Sequence, residues 1–303
     1  MHFSNLMFQG RAMFKNKLKI LIICVICLLS MLMSGYISVV TPLTSKSQVQ
    51  LLETAEIIPV YKNGIRVLDG IKIGDTTYTQ LRSFTNAVNK DVEINWNSRT
   101  HTATLTADGL RLTVTEGKQY MVANDRYLFI PDGAINHNGS ILVPLRAMAH
   151  VFGVEISWDS EANAVILNAE NIQFIKSGKD FYVEDDLYWL SRLINSESGN
   201  QPLNGKIGVG NVVLNRVADP TCPDTIYDVI FDNKYGVQFS VTENGTIHNN
   251  PNEESVIAAK LCLEGYNLVD NALYFVNPDI GVSSWFLKTR TFVTTIAEHD
   301  FYA

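Results

Sequence analysis

The apolar pattern of the chain changes character three times. Residues 13–40 begin with Lys15, Lys17 and Lys19 and run into an almost uniformly apolar segment, Ile20 to Met33, broken by Ser30 and continuing more weakly to Val40. Residues 41–60 read as a spacer. From residue 61 to about residue 169 short runs alternate apolar and polar positions between turn residues, as in DVEINW, TATLTA, LRLTV, YLFI and AVILNA. Alternation of this period predicts strands with one buried face. Beyond residue 185 the period lengthens. Leu187, Leu190 and Ile194 recur at spacings of three and four, which predicts a helix stopped by Ser198-Gly199-Asn200-Gln201-Pro202. Lys206–Val217 and a stretch from about Glu253 to Gly265 predict two more helices, and ALYFVNP predicts a buried strand.

The strand-rich region repeats itself. Leu81-Arg82-Ser83-Phe84 followed by DVEINWNSRTHTATLTA matches Leu145-Arg146-Ala147-Met148 followed by GVEISWDSEANAVILNA, with Trp96 and Trp158 in equivalent places. Each unit reads as a short helix and a Trp-bearing hairpin, and two such units imply pseudo-symmetric halves over a shared core. Arg82 and Arg146 are expected to anchor each unit structurally. The fold class is therefore two domains: a β-rich α+β repeat domain over residues 61–172, then a mainly helical α+β domain over residues 183–303.

With 303 residues and 46% hydrophobic composition the chain can bury two cores. The net charge of −7, with no basic cluster beyond the first twenty residues, argues against a nucleic-acid partner. Lysines followed by an apolar run describe a secretory signal peptide or an N-terminal membrane anchor; both fit residues 1–40, and both export the domains. Met13 is an alternative start. Cys24 and Cys27 sit within the apolar run as hydrophobes, which leaves Cys222 and Cys262 as a possible disulfide in an exported protein.

One residue breaks the helical pattern. Glu197 falls where the stripe of Leu187, Leu190 and Ile194 asks for a hydrophobe. A carboxyl group there is either solvated in the last turn or desolvated, and desolvation would make it a general acid near neutral pH. Around it, Glu184, Asp185 and Asp186 complement a helix N-terminus. Gly208 and Gly210 imply close packing of the second helix on the Glu197 helix. Asn211 and Asn215 share a helix face suited to a polar cleft wall or a buried hydrogen-bond pair, and Arg216 is expected to be a structural ion-pair partner.

The order Glu197-Ser-Gly, VGNVVLNRV, P-x-TI-x-x-VI, QFS, ALYFVNP, Trp285 and a closing I-x-x-H-x-FY resembles the cell wall hydrolase family of spore cortex-lytic enzymes, over residues 185–303. The resemblance implies a lysozyme-like fold, cleavage of the glycan strands of peptidoglycan, and Glu197 as the essential glutamate. Several members are lytic transglycosylases, which need a single carboxyl group. Gln238 and Ser240 would bond sugar hydroxyls or acetamido groups, while Tyr274, Asn277 and Trp285 would supply an aromatic platform and an amide. Asn215 and His299 complete the expected substrate contacts, although His299 fits a structural role equally. Phe239 and Phe275 read as core. Departures fall at Asn195-Ser196, at Gly236-Val237 before Gln238, and at Ala297-Glu298.

ILVPLRAMAHVFGVEISWDSEANAVIL resembles the domain named for the N-terminal region of copper amine oxidases. Its name suggests copper, but His101, His137 and His150 have no ligand spacing. No cofactor or metal is expected, and a binding or spacer role is implied. Three alternatives stand beside a lytic transglycosylase acting on peptidoglycan. One is a two-carboxylate muramidase using Glu243, Asp279 or Glu298. Another is a zinc amidase, for which only His248 and His299 are available in the domain, without a recognisable motif. The last is a wall-binding protein without catalysis.

Overall fold

The computed structural model describes residues 55–234 and 236–303. The apolar N-terminal segment, its two cysteines and the spacer as far as residue 54 lie outside them. Among the described residues no helix is long and apolar enough to cross a membrane.

Period-two alternation produces two sheets. Strands β1 (Ile57–Lys62), β2 (Ile65–Ile73) and β3 (Thr76–Gln80) lead into helix α1 (Leu81–Val88). Then β4 (Glu93–Asn97), β5 (Thr102–Ala107), β6 (Leu110–Thr115), β7 (Tyr120–Ala123) and β8 (Arg126–Phe129) form an antiparallel meander. After β9 (Ile135–His137), β10 (Ser140–Pro144) and α2 (Leu145–Phe152), the hairpin β11 (Glu155–Asp159) and β12 (Ala164–Asn168) joins the other sheet, ordered β11-β12-β1-β2-β3-β10-β9.

The repeat is visible in register. Trp96 lies opposite Ala103 and Trp158 opposite Val165, the same place in each hairpin. The two hairpins nevertheless belong to different sheets. What they share is the core between them, where Phe84 of α1 meets Phe152 of α2 edge-on at 5.7 Å, among Tyr78, Leu105, Leu142 and Met148. Leu81 and Leu145 are buried at the helix starts, so the arginines that follow them turn outward. Arg82 and Arg146 are exposed, and neither side chain makes a hydrogen bond or ion pair among the described residues. They are not the structural anchors expected of them.

The second half is built on helices. After a single-turn α3 (Gly178–Phe181) come α4 (Glu184–Ser198), α5 (Leu203–Ala218), α6 (Ile226–Ile230) and α7 (Glu253–Leu263). A small sheet follows: β13 (Tyr274–Val276), then α8 (Ser284–Thr289), β14 (Phe292–Ile296) and β15 (His299–Tyr302), in the order β13-β15-β14. Leu190, Leu193 and Ile194 of α4, Ile207, Val209 and Val213 of α5, and Ile257 and Leu261 of α7 make its core.

Several local expectations need correction. Glu184, Asp185 and Asp186 form the first turn of α4 and so stand at its N-terminus as expected. Gly199 ends α4 in right-handed geometry, at φ −58°. The ALYFVNP strand shrinks to Tyr274–Val276 and is half-buried at the sheet edge. Gly210 packs as expected against α4: a Cβ there would lie 2.8 Å from Ile194 Cδ1 and 2.7 Å from Cys262 Sγ. Gly208 instead faces Phe301 of β15, at 2.6 Å. Cys222 and Cys262 are both free, so the possible disulfide does not form. Cys262 is buried, its Sγ 3.4 Å from the Ile207 carbonyl that accepts from it.

The described residues belong to one compact unit, and a buried ion pair links its β-rich and helical parts. Arg126 at the start of β8 donates through Nε and Nη2 to the Glu264 carboxylate, just beyond α7, at 2.9 and 2.6 Å. The Tyr182 hydroxyl donates to the same carboxylate at 2.7 Å, and the guanidinium lies 3.4 Å from the Phe181 ring centroid. Phe129 of β8 adds its ring to the helical core, 5.7 Å from Tyr266. The Glu264 side chain is 1% exposed, so removing its partner strands a desolvated charge. Arg126→Ala is expected to lower unfolding free energy by about 3–5 kcal/mol, measured by urea denaturation.

Candidate active-site groove

Glu197 is the penultimate residue of α4, and its neighbours hold that last turn in place. Asn195 Oδ1 accepts from the Asn252 backbone N–H at 3.0 Å, Ser196 Oγ donates to the Thr246 carbonyl at 3.0 Å, and Ser198 Oγ donates to the Ile194 carbonyl at 2.8 Å. Asn252 Nδ2 reaches the Gly199 carbonyl at 3.1 Å. The helix end is thus tied to two outside segments, at Thr246 and Asn252, and the residue among these contacts is Glu197. Asn195 and Ser196, which depart from the family pattern, supply two of these contacts.

Glu197 lines a groove of about 360 Å³ together with Arg216, Val237, Gln238, Phe239, Ser240, Tyr274, Phe275 and Phe286. Among the described residues no hydrogen bond or ion pair reaches its carboxyl group. Burial pushes its pKa above the ordinary glutamate value of 4.5, because a desolvated carboxyl group favours its neutral form. This is the pattern of an acid held ready to give a proton rather than that of a structural ion pair.

The groove holds one cation, and periodicity did not assign it there. Arg216, buried near the end of α5, donates through Nε to the Leu273 carbonyl at 2.8 Å. Its guanidinium lies 5.2 Å from the Phe239 ring and 5.4 Å from the Tyr274 ring. No carboxylate pairs with it among the described residues, which corrects the expected ion pair. Desolvation lowers its pKa. Buried charges are ordinarily paired, so an unpaired guanidinium in a groove fits a substrate acceptor. An arginine beside Val213, Leu214 and Val217 near the end of the helix was the signal available in the sequence; Phe286 had none.

The expected substrate contacts divide in two. Gln238, Ser240 and Tyr274 line the groove beside Glu197. Gln238 Nε2 donates to the Gly236 carbonyl at 2.9 Å, and the Tyr274 hydroxyl accepts from Arg290 Nη2 at 3.1 Å. Asn215, Asn277, Trp285 and His299 do not line it. Asn215 Nδ2 is taken up by the Asp270 and Ala272 carbonyls at 2.8 and 2.9 Å. Asn277 Oδ1 accepts from the Asp279 N–H at 2.9 Å and caps a 3-10 turn. Trp285 is 66% exposed on α8. His299 is buried on β15, 5.2 Å from the Phe275 ring, and burial lowers its pKa. Phe239 and Phe275, read as core, also line the groove.

None of the candidate second carboxylates lines the groove. Glu243 and Asp279 are exposed, and Glu298 accepts from Gln201 Nε2 at 2.7 Å, tying the β14–β15 turn to the segment after α4. His248 lies in a 3-10 turn 6.0 Å from the Trp189 ring. Among the described residues no three His, Cys, Asp or Glu side chains gather as metal ligands.

The raised Glu197 pKa carries a stability signature. A carboxyl group whose folded pKa lies above its unfolded value stabilises fully below about pH 4.5, and that contribution is lost as pH rises through the folded value. Glu197→Gln is therefore expected to melt higher than the parent at pH 8, with the difference shrinking toward pH 4, as followed by thermal denaturation.

Residues 200–302 match the family model described as Cell Wall Hydrolase, and residues 67–167 match that of the Copper amine oxidase N-terminal domain. Glu197 lies just before the first match. Over 120 residues, 40% of this chain, the sequence is 32% identical to a spore cortex-lytic enzyme of Bacillus cereus and 31% identical to that of Oceanobacillus iheyensis. The chain spans 45% and 42% of the lengths of these relatives. A solved structure, the catalytic domain of the germination-specific lytic transglycosylase SleB from Bacillus anthracis, is 31% identical, with 43% of this chain and 100% of that one covered and a TM-score of 0.37.

Proposed function

We propose, from the premise that the C-terminal part of this chain is a cell wall hydrolase domain and the part before it a copper amine oxidase N-terminal-like domain, that the protein cleaves the glycan strands of peptidoglycan by lytic transglycosylation. The observation that carries this reading is Glu197: among the described residues a desolvated carboxyl group without a partner, in a groove that none of the other described carboxylates lines. Hydrolysis by the usual routes requires two carboxyl groups, about 5–5.5 Å apart for retention or about 6.5–9.5 Å for inversion. Transglycosylation requires one.

In this mechanism protonated Glu197 gives its proton to the glycosidic oxygen as the bond from C1 to that oxygen breaks. Positive charge develops on the muramoyl ring. The C6 hydroxyl of the same sugar then attacks C1, and the Glu197 carboxylate takes the hydroxyl proton, which restores the acid. The released strand keeps a hydroxyl at the old bond, and the other fragment ends in a 1,6-anhydro ring. Tyr274, Phe239 and Phe286 offer apolar faces to sugar rings. Gln238 and Ser240 offer polar groups to hydroxyl and acetamido substituents, and Arg216 offers donors to an acetamido or lactyl carbonyl. We read the helical domain as lysozyme-like on the same grounds, its acid standing at a helix end in a groove closed by a small sheet. The chain then works outside the cytoplasm, with residues 1–40 as signal peptide or anchor.

The test is mass spectrometry of soluble products after the full chain digests purified peptidoglycan. Anhydro-muramoyl ends are expected, and Glu197→Gln is expected to lower the rate by at least about 100-fold, the lower bound for loss of an acid–base group. Reducing ends in their place would make the protein a hydrolase. Arg216→Leu is expected to raise KM about tenfold, as for one lost charged hydrogen bond, and to leave the pH dependence of kcat where Glu197 sets it.

A further inference from the structure

A second cleft, of about 540 Å³, opens where the β-rich domain meets the helical one. Its walls are the β2–β3 turn, the start of α2, strands β11 and β12, and Glu264 to Tyr266 beyond α7; none of its lining residues belongs to the Glu197 groove. Its size suits a small-molecule or oligomer subsite.

Two of its residues have no task in the fold. Arg146 is exposed and unpaired among the described residues, and Trp158 is 52% exposed. They are the Leu-Arg and Trp positions of the second repeat. Their counterparts Arg82 and Trp96 are exposed as well, so outward display belongs to the repeated unit rather than to one irregular loop. In the second unit the helical domain supplies an opposite wall, Glu264 to Tyr266. Glu264, on that wall, is already neutralised by Arg126 and Tyr182. Arg146 and Asp75 are left as the cleft's free charges, and Thr76 and Ser157 add hydroxyl groups. An exposed indole on a strand, with a guanidinium and hydroxyls beside it, is chemistry for stacking a sugar ring and bonding its substituents.

We propose that this cleft is a second saccharide site, with Trp158 as the stacking platform and Arg146 as the contact to a carboxylate, and that it holds a stretch of carboxylate-bearing amino-sugar polymer away from the Glu197 groove. The identity of that polymer as peptidoglycan rests on the function proposed above; the site itself does not. The β-rich domain then retains the strand that the helical domain cuts, instead of serving as a spacer.

The experiment is co-sedimentation of the full chain with purified peptidoglycan sacculi, in a Glu197→Gln background so that the polymer stays intact. Trp158→Ala is expected to weaken binding about five- to tenfold, within the roughly two- to twelvefold range for one aromatic contact. Arg146→Ala is expected to weaken it several-fold on sacculi, but not on the neutral hexamer of N-acetylglucosamine. Trp96→Ala, outside the cleft, is expected to bind within about twofold of the background, and unchanged melting temperatures establish that the variants fold. Binding by Trp158→Ala and Arg146→Ala equal to that of the background would overturn the site. Equal losses in Trp158→Ala and Trp96→Ala would overturn it too, by showing generic adhesion of exposed indoles. Should Glu197→Gln still cut glycan, the catalytic reading falls, whereas the sedimentation result stands on its own.

Discussion

The structure of the groove depends on how closely two helices approach. α4 and α5 meet across Gly210, where even a methyl group would collide with Ile194 and Cys262. That contact sets both walls at once, since α4 carries Glu197 and α5 carries Arg216. Close-packed interiors do not absorb added volume without shifting side chains or backbone. A wider separation would move the acid and the guanidinium apart, whatever rotamers they adopted.

The same packing explains why the two charged groups are held differently. Among the described residues Glu197 is desolvated and has no partner, which shifts its pKa upward. Arg216 is desolvated too, but it has one carbonyl acceptor and two aromatic faces in place of a carboxylate. Had the two paired with each other, the acid would be held ionised and of little use as a proton donor. The groove keeps an acid and a cation within one cavity without an ion pair between them.

The β-rich and helical domains are joined through a buried Arg126–Glu264 pair, capped by Tyr182 and Phe181, and through Phe129 entering the helical core. Buried ion pairs contribute less through net stabilisation than through the penalty for breaking them. This one holds Trp158 and Arg146 of the second repeat opposite the segment after α7, and it makes a cleft where separate domains would have left two open surfaces.

Much was legible in the sequence because it was periodic or repeated. Alternation identified the strands, the three-and-four spacing identified α4, and a carboxyl group standing in an apolar stripe singled out Glu197, although the stripe left open whether that group would be solvated or desolvated. Gln238, Ser240 and Tyr274 were named through resemblance, and they do stand beside it. Side-chain partners were not legible, because they depend on elements distant in the chain. Asn215 shares a face with Asn211, yet carbonyls some 55 residues further along take up its amide. Arg216 promised an ion pair and found a carbonyl and two rings instead. Arg82 and Arg146 looked like anchors and point to solvent, since the buried leucines before them set the helix rotation. Local pattern determined which residues leave water and which element each belongs to; only tertiary packing decided what each buried polar group would meet, because those partners come together only when the helices and the small sheet close on one another.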